Sequence, residues 1–85
     1  MDKGEVETRV KQVTARVLSV DPDDVANSAD FGADLGAESV QSIELIAAFE
    51  EEFKIEMDED AAMAIANVGA AIDFIHQHVV QKHGG

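Results

Sequence analysis

Apolar residues recur along this chain at the spacing of helices, and no segment alternates apolar with polar residues as a half-buried strand would. From about Asp2 to Val20, Val6, Val10, Val13, Val17 and Leu18 return at helical intervals, which predicts an amphipathic first helix turned towards a core. Asp21-Pro22-Asp23-Asp24 stops it, because proline cannot continue a helix and disfavours helix in the residue before it. The stretch to Gly36 reads as a long loop, which Val25, Phe31 and Leu35 are expected to pin down. A second helix begins at Ser39 and runs to Phe53. After the connection Lys54-Ile55-Glu56-Met57, the acids Asp58, Glu59 and Asp60 open a brief third helix over Ala61 to Ile65. Asn67 is a candidate N-cap for a last helix from about Val68, with Ala71, Ile72, Ile75 and Val79 facing inward. The pattern thus predicts an all-α fold: a small four-helix bundle with a long loop between helices 1 and 2 and a short third helix, forming a single domain over residues 1–85.

The second helix has two apolar faces where a core needs one. At about 100° per residue, Leu45, Ile46, Phe49 and Phe53 form one stripe wide enough to seat the helix. Val40, Ile43 and Ala47 fall on nearly the opposite side, with Glu44 and Glu51 beside them. An apolar face rimmed with carboxylates reads as a docking surface for a basic partner.

Composition sharpens this reading. With 18 acidic against 6 basic residues, the net charge of −12 argues against nucleic acid and anionic membranes as partners and favours basic protein patches. From Glu38 to Asp60 the only basic residue is Lys54, whereas Lys3, Arg9, Lys11 and Arg16 lie in the first helix. No apolar run approaches a membrane span, and MDKGEVETRV lacks the charged-then-apolar order of a signal peptide, so a soluble, cytoplasmic monomer without membrane insertion is expected. The absence of cysteine means that any thiol chemistry must come from a cofactor. His76, His78 and His83 lack the i, i+4 spacing of a helical zinc pair, so they read as a solvated, pH-sensitive helix end and no metal is expected. Asp21 to Asp30 lacks the ligand alternation and central glycine of a calcium loop.

Ser39 stands where a glycine-containing loop turns into helix. On spacing alone it reads as an N-cap, although the capping box is incomplete because Ser42, not Glu or Gln, stands three residues on. A serine hydrolase is excluded locally: the flanks are Ala37-Glu38-Ser39-Val40-Gln41, not Gly-x-Ser-x-Gly, and the histidines lie at the far C-terminal end. A serine without a base can still be the acceptor for another enzyme, and a helix N-terminus favours a phosphate.

Asp34-Leu35-Gly36-Ala37-Glu38-Ser39-Val40, followed by Ile43-Glu44-Leu45 and Phe49-Glu50-Glu51-Glu52-Phe53, resembles the Asp-Ser-Leu attachment motif and second helix of acyl carrier proteins. The resemblance extends through Val20 to Val25 and Asn27 to Phe31 on one side and Val68 to Ile75 on the other. It implies a carrier, not an enzyme: a phosphopantetheinyl transferase would attach 4′-phosphopantetheine from coenzyme A to Ser39, with no catalytic residue on this chain. The arm's thiol would carry acyl groups as thioesters to enzymes of fatty-acid or lipid synthesis that present basic patches. By the same resemblance, Phe31, Leu45, Phe49, Ile65 and Ala71 would wall an acyl pocket, and Glu38, Val40, Glu44, Ala47 and Glu51 would meet partners. A peptidyl or polyketide carrier would use the same serine, and an acidic interaction module would leave Ser39 as a cap. The chain departs from the family pattern with Glu38 for the usual aspartate, Val40 for the usual leucine and an uncharged run from Ala61 to Ala66, which suggests a specialised carrier. In that run, Ala62 and Ile65 are expected inside at i, i+3 spacing and Met63 at the surface near Ala47, extending the docking face.

Overall fold

The computed structural model describes residues 2–83, the side chains of 81–83 excepted. Four α-helices carry the fold: α1 (Lys3–Leu18), α2 (Ser39–Phe53), α3 (Glu59–Met63) and α4 (Val68–His83). α1 packs against both α2 and α4, and α3 packs on α2.

Each helix ends for a local reason. The Asp2 carboxylate accepts the Glu5 N–H at 2.8 Å and caps α1. The helix stops at Ser19, which adopts the left-handed conformation with φ 58°, two residues before the Asp21-Pro22 pair expected to end it. Asp21 to Asp24 instead forms a short 3-10 helix, Pro22–Asp24, capped by the Asp21 side chain. Proline at its first position loses no hydrogen bond, so a stop signal in the sequence becomes a start in the structure. α2 ends on Lys54 in the same left-handed conformation. α3 begins two residues earlier than the spacing predicts because Asp58 caps it through the Asp60 N–H, and it ends at Met63. Asn67 caps α4 as expected, accepting the Ala70 N–H at 2.8 Å.

The core matches the predicted stripes. Val6, Val10, Val13 and Leu18 of α1 meet Leu45, Phe49 and Phe53 of α2 and Ala71, Ile72, Ile75 and Val79 of α4, all buried. Val17 and Ile46 are partly buried at the margins of this cluster. Lys3 and Asp73 pair at 2.6 Å between α1 and α4, and the hydrogen bond first, then the charge, raises the Lys3 pKa above its ordinary value.

Thr14 is the polar exception. It is 0% exposed, and its hydroxyl has no partner among the described residues. A buried hydroxyl without a partner costs free energy that a methyl group of the same shape avoids. Thr14→Val is therefore expected to raise stability by about 1 kcal/mol in denaturant unfolding.

The loop from Asp21 to Gly36 buries Val25, Ala29 and Phe31 and half-buries Leu35. Backbone bonds also tie it to the segment that starts α4. The Val68 and Gly69 N–H groups donate to Ala29 O and Asn27 O, and the Phe31 N–H donates to Ala66 O at 3.0 Å. The loop closes on Gly36, which has φ 73° and donates its N–H to Gly32 O at 3.1 Å. Space is open around Gly36, so a substitution there is opposed by backbone conformation alone. Gly36→Ala is expected to cost about 1–2 kcal/mol by thermal unfolding and to leave the neighbouring packing intact.

Candidate functional site at the start of the second helix

The turn before α2 is held by its own backbone. The N–H groups of Asp34 and Leu35 donate to Asp30 O, the Ala37 N–H donates to Phe31 O at 2.8 Å, and the Asp34 carboxylate accepts the Asp30 N–H at 2.8 Å. Because Phe31 is anchored in the core, this knot fixes where the following residues emerge.

Ser39 emerges as the first residue of α2, exposed and one position inside the helix. The N-cap is Glu38, whose backbone N–H donates to the Gln41 side chain at 3.0 Å. The Ser42 N–H donates to Glu38 O at 2.9 Å to open the helical ladder. The reading of Ser39 as cap is thereby overturned, and the box that looked incomplete when counted from Ser39 is framed by Glu38 and Gln41. The pair was present in the sequence at i, i+3, but only Ser, Thr, Asp and Asn are strong cap candidates by type. The Ser39 hydroxyl has no hydrogen bond among the described residues, and neither do the backbone N–H groups of Ser39 and Val40. No acid stands within the first turn of α2, although the chain as a whole is strongly acidic. A free hydroxyl, unpaired N–H donors and the positive end of a helix dipole together fit a phosphodiester carried on Ser39.

The outward face of α2 is as apolar as the spacing predicts: Val40 is 66% and Ile43 53% exposed. Ala47, Glu38, Glu44 and Glu51 are exposed beside them. The run Glu50-Glu51-Glu52 divides into three roles that its spacing does not reveal. Glu50 accepts the Met57 N–H at 2.9 Å and holds the turn towards α3. Glu52 pairs with Arg9 of α1 at 3.2 Å. Glu51 forms no ion pair among the described residues, and neither do Glu38 and Glu44. Lys3, Arg9 and Lys11 are engaged by Asp73, Glu5, Glu52 and Glu7, and Arg16 and Lys54 lie beside Glu51 and Glu52 near the end of α2, so the negative potential of the α2 face is least opposed at Glu38 and Glu44.

Behind this face a cavity of about 50 Å³ is lined by Phe31, Leu45, Phe49, Ile65 and Ala71, the five residues expected to wall a pocket. Ser42, Ile46, Met57, Ala62 and Met63 complete the lining. Ser42 was missed, although its position three residues after Ser39 and three before Leu45 places it on a shared side of the helix. Ile65 reaches the cavity for a different reason from the one expected: it lies beyond the end of α3, and its N–H donates to Ala62 O at 3.1 Å. Met63 lines the cavity and is 48% exposed, so it belongs to both the pocket and the outer face.

His76 and His78 do not belong to a freely solvated end. His76 and His78 are half-buried, His78 stacks on Phe74 with ring centroids 4.3 Å apart, and its Nδ1 lies 2.9 Å from Phe74 O. The His83 side chain lies outside the described residues. Among the described residues no group of side chains could hold a metal ion, and no helix is long and apolar enough to cross a membrane.

A family model described as the phosphopantetheine attachment site matches residues 8–75. Among solved structures, the chain is similar to the acyl carrier protein of Enterococcus faecalis, with 29% identity and a TM-score of 0.76 over 92% of this chain and 99% of that one. The match spans the capped turn, all of α2 and the lining of the cavity, and on it the chain belongs to the phosphopantetheine-attachment family, carrier domains of the acyl carrier type whose prosthetic group is 4′-phosphopantetheine.

Proposed function

We propose that this chain is an acyl carrier in which the Ser39 hydroxyl takes 4′-phosphopantetheine from coenzyme A and the outer face of α2 docks the enzymes that load and unload it. The observation that carries the reading is the state of Ser39: exposed, at the first position of α2, relieved of capping by Glu38 and bonded to nothing. Ser39 Oγ forms a bond to phosphorus as the pyrophosphate bond of coenzyme A breaks, and the nucleotide bisphosphate leaves. The hydroxyl proton passes to a base of the transferase, since Ser39 has no hydrogen-bonded base of its own. Once bound, the group supplies the thiol that holds acyl cargo as a thioester.

The remaining roles belong to the chain. The first-turn N–H groups and helix dipole stabilise the phosphodiester charge. Glu38, Glu44 and Glu51 attract basic partners, and Val40, Ala47 and Met63 give those partners an apolar seat. Phe31, Leu45, Phe49, Ile65 and Ala71 receive the end of the acyl chain. This acidic surface suits the basic patches of fatty-acid or lipid synthesis enzymes acting in the cytoplasm on a monomeric carrier. The exposed Met63, where housekeeping carriers usually present acid, marks a specialised member with a partner of its own.

The sequence has no cysteine, so a thiol reagent reports the group directly. Incubation with coenzyme A and a broad-specificity transferase is expected to give one reactive thiol per chain where there was none. A chain that remains without a thiol contradicts the proposal.

A further inference from the structure

A chain with 18 acidic residues offers its 6 basic ones many partners, yet two of them take none. Lys3, Arg9 and Lys11 are engaged by carboxylates of α1, α2 and α4, and the Lys82 side chain lies outside the described residues. Arg16 and Lys54 are exposed, form no ion pair among the described residues, and line one open groove with Ala48, Glu51 and Glu52. The Glu52 carboxylate is turned to Arg9 at 3.2 Å, so Glu51 alone stands unpaired beside the two cations among the residues of the groove. Both cations stand near the C-terminal ends of their helices, where positive charge suits the dipole, but that does not explain why they share one groove. Lys54 also holds a left-handed conformation, φ 55°, that glycine adopts with less strain, so the turn itself does not ask for lysine.

The groove continues the outer face of α2. Ala47, Glu51 and Lys54 follow one another at i, i+4 and i+7, so the face that begins with Glu38, Val40, Ile43 and Glu44 ends at the two cations. Ser39 and Lys54 stand at opposite ends of α2, about 22 Å apart at a rise of about 1.5 Å per residue. The face is thus negative beside the serine, apolar in the middle and partly positive at its far end. A uniformly basic surface long enough to cover it would meet Arg16 and Lys54 with like charge.

Resting on the carrier reading, we infer that Arg16 and Lys54 form a second docking point, which receives a carboxylate of the enzyme that handles the cargo. That enzyme presents a basic patch to Glu38 and Glu44 and an acidic group about 20 Å away, so it fits α2 in one direction, with its reactive centre at the Ser39 end. Basic surfaces that lack the acidic group are held less well.

The probe is a helical peptide of about 20 residues, long enough to span α2, joined near one end to the thiol of the arm on the full chain. It carries lysines at the joined end, an apolar stripe, and glutamates at the far end; a second peptide has glutamine in place of those glutamates. Joining holds either peptide beside α2 at high effective concentration, so docking is read as a rise in melting temperature. On the native chain the glutamate peptide should give a melting temperature about 2–5 °C above that of the glutamine peptide. The net charge of −12 by itself favours the opposite order. The difference should vanish when Arg16→Gln and Lys54→Gln are combined, a variant that breaks no ion pair of the fold. It should persist in Lys11→Gln, which removes a cation paired with Glu7 on α1. A purely structural role for Arg16 and Lys54 would instead lower the melting temperature of both joined species equally. Equal melting of the two species on the native chain, a difference that survives the double variant, or one lost as fully in Lys11→Gln overturns the inference and leaves the carrier reading intact. A chain that takes no arm, and so has no thiol to join, overturns both.

Discussion

Ser39→Ala is expected to abolish addition of 4′-phosphopantetheine completely while leaving the fold unchanged. The hydroxyl makes no hydrogen bond in the protein, and the cap of α2 is Glu38, so alanine removes no structural contact. Alanine is also the best helix former at an exposed helical position. The melting temperature should therefore stay within a few degrees of the unaltered chain, corresponding to about 0.5 kcal/mol or less. Ser42→Ala is the matched control: Ser42 lies one turn further along the same helix and half-buried, and its loss should leave the addition intact. If Ser39 were a structural cap, the result would invert, with stability falling by about 1 kcal/mol and modification moving elsewhere. The two readings thus predict different outcomes in both mass and melting temperature.

The second large effect concerns stability. Phe49→Ala should cost about 3–5 kcal/mol, because Phe49 is 4% exposed, packs in the central cluster and already borders a cavity that its loss would enlarge. A domain of 85 residues has about 4–13 kcal/mol in total, so the variant should lose a large share of its stability and melt roughly 12–40 °C lower. Phe49→Leu keeps most of the volume and should cost under about 1.5 kcal/mol. Thermal unfolding of the two variants side by side checks the assignment. A Phe49→Ala chain that melts within a few degrees of the native one would remove Phe49 from the core.

Helical periodicity made the bundle legible because each long helix has one face that must be buried. Val10, Phe49 and Ile75 announce themselves by spacing alone. The second face of α2 was equally legible, since Val40 and Ile43 have no place in a core that the opposite stripe already fills. Other features depend on contacts distant in sequence. The bonds from Val68 and Gly69 to the loop join residues about 40 positions apart, and nothing local signals them. The division of labour among Glu50, Glu51 and Glu52 depends on which way each points: towards the α3 turn, outward, or towards Arg9. Spacing alone puts the cap one residue late because Ser39 is the better cap by type, whereas the backbone knot at Phe31 and Ala37 sets the frame and leaves the position to Glu38. The same knot frees the serine. α3 was displaced because the run of alanines and Met63 looks helical by propensity, while the helix begins where Asp58 can cap it.

The carrier reading depends on the acceptor being Ser39 and no other hydroxyl. The chain offers Thr8, Thr14, Ser19, Ser28 and Ser42 as competitors, of which Thr14 is fully buried and Ser19 forms the left-handed end of α1. The most direct measurement is to treat the unaltered chain with coenzyme A and transferase, digest it with trypsin, and locate the added mass by fragmentation of the peptide of residues 17–54 and by the masses of the remaining peptides. The account predicts a single 4′-phosphopantetheinyl group, on Ser39 alone. Finding the group on any other residue, or finding none, would contradict it.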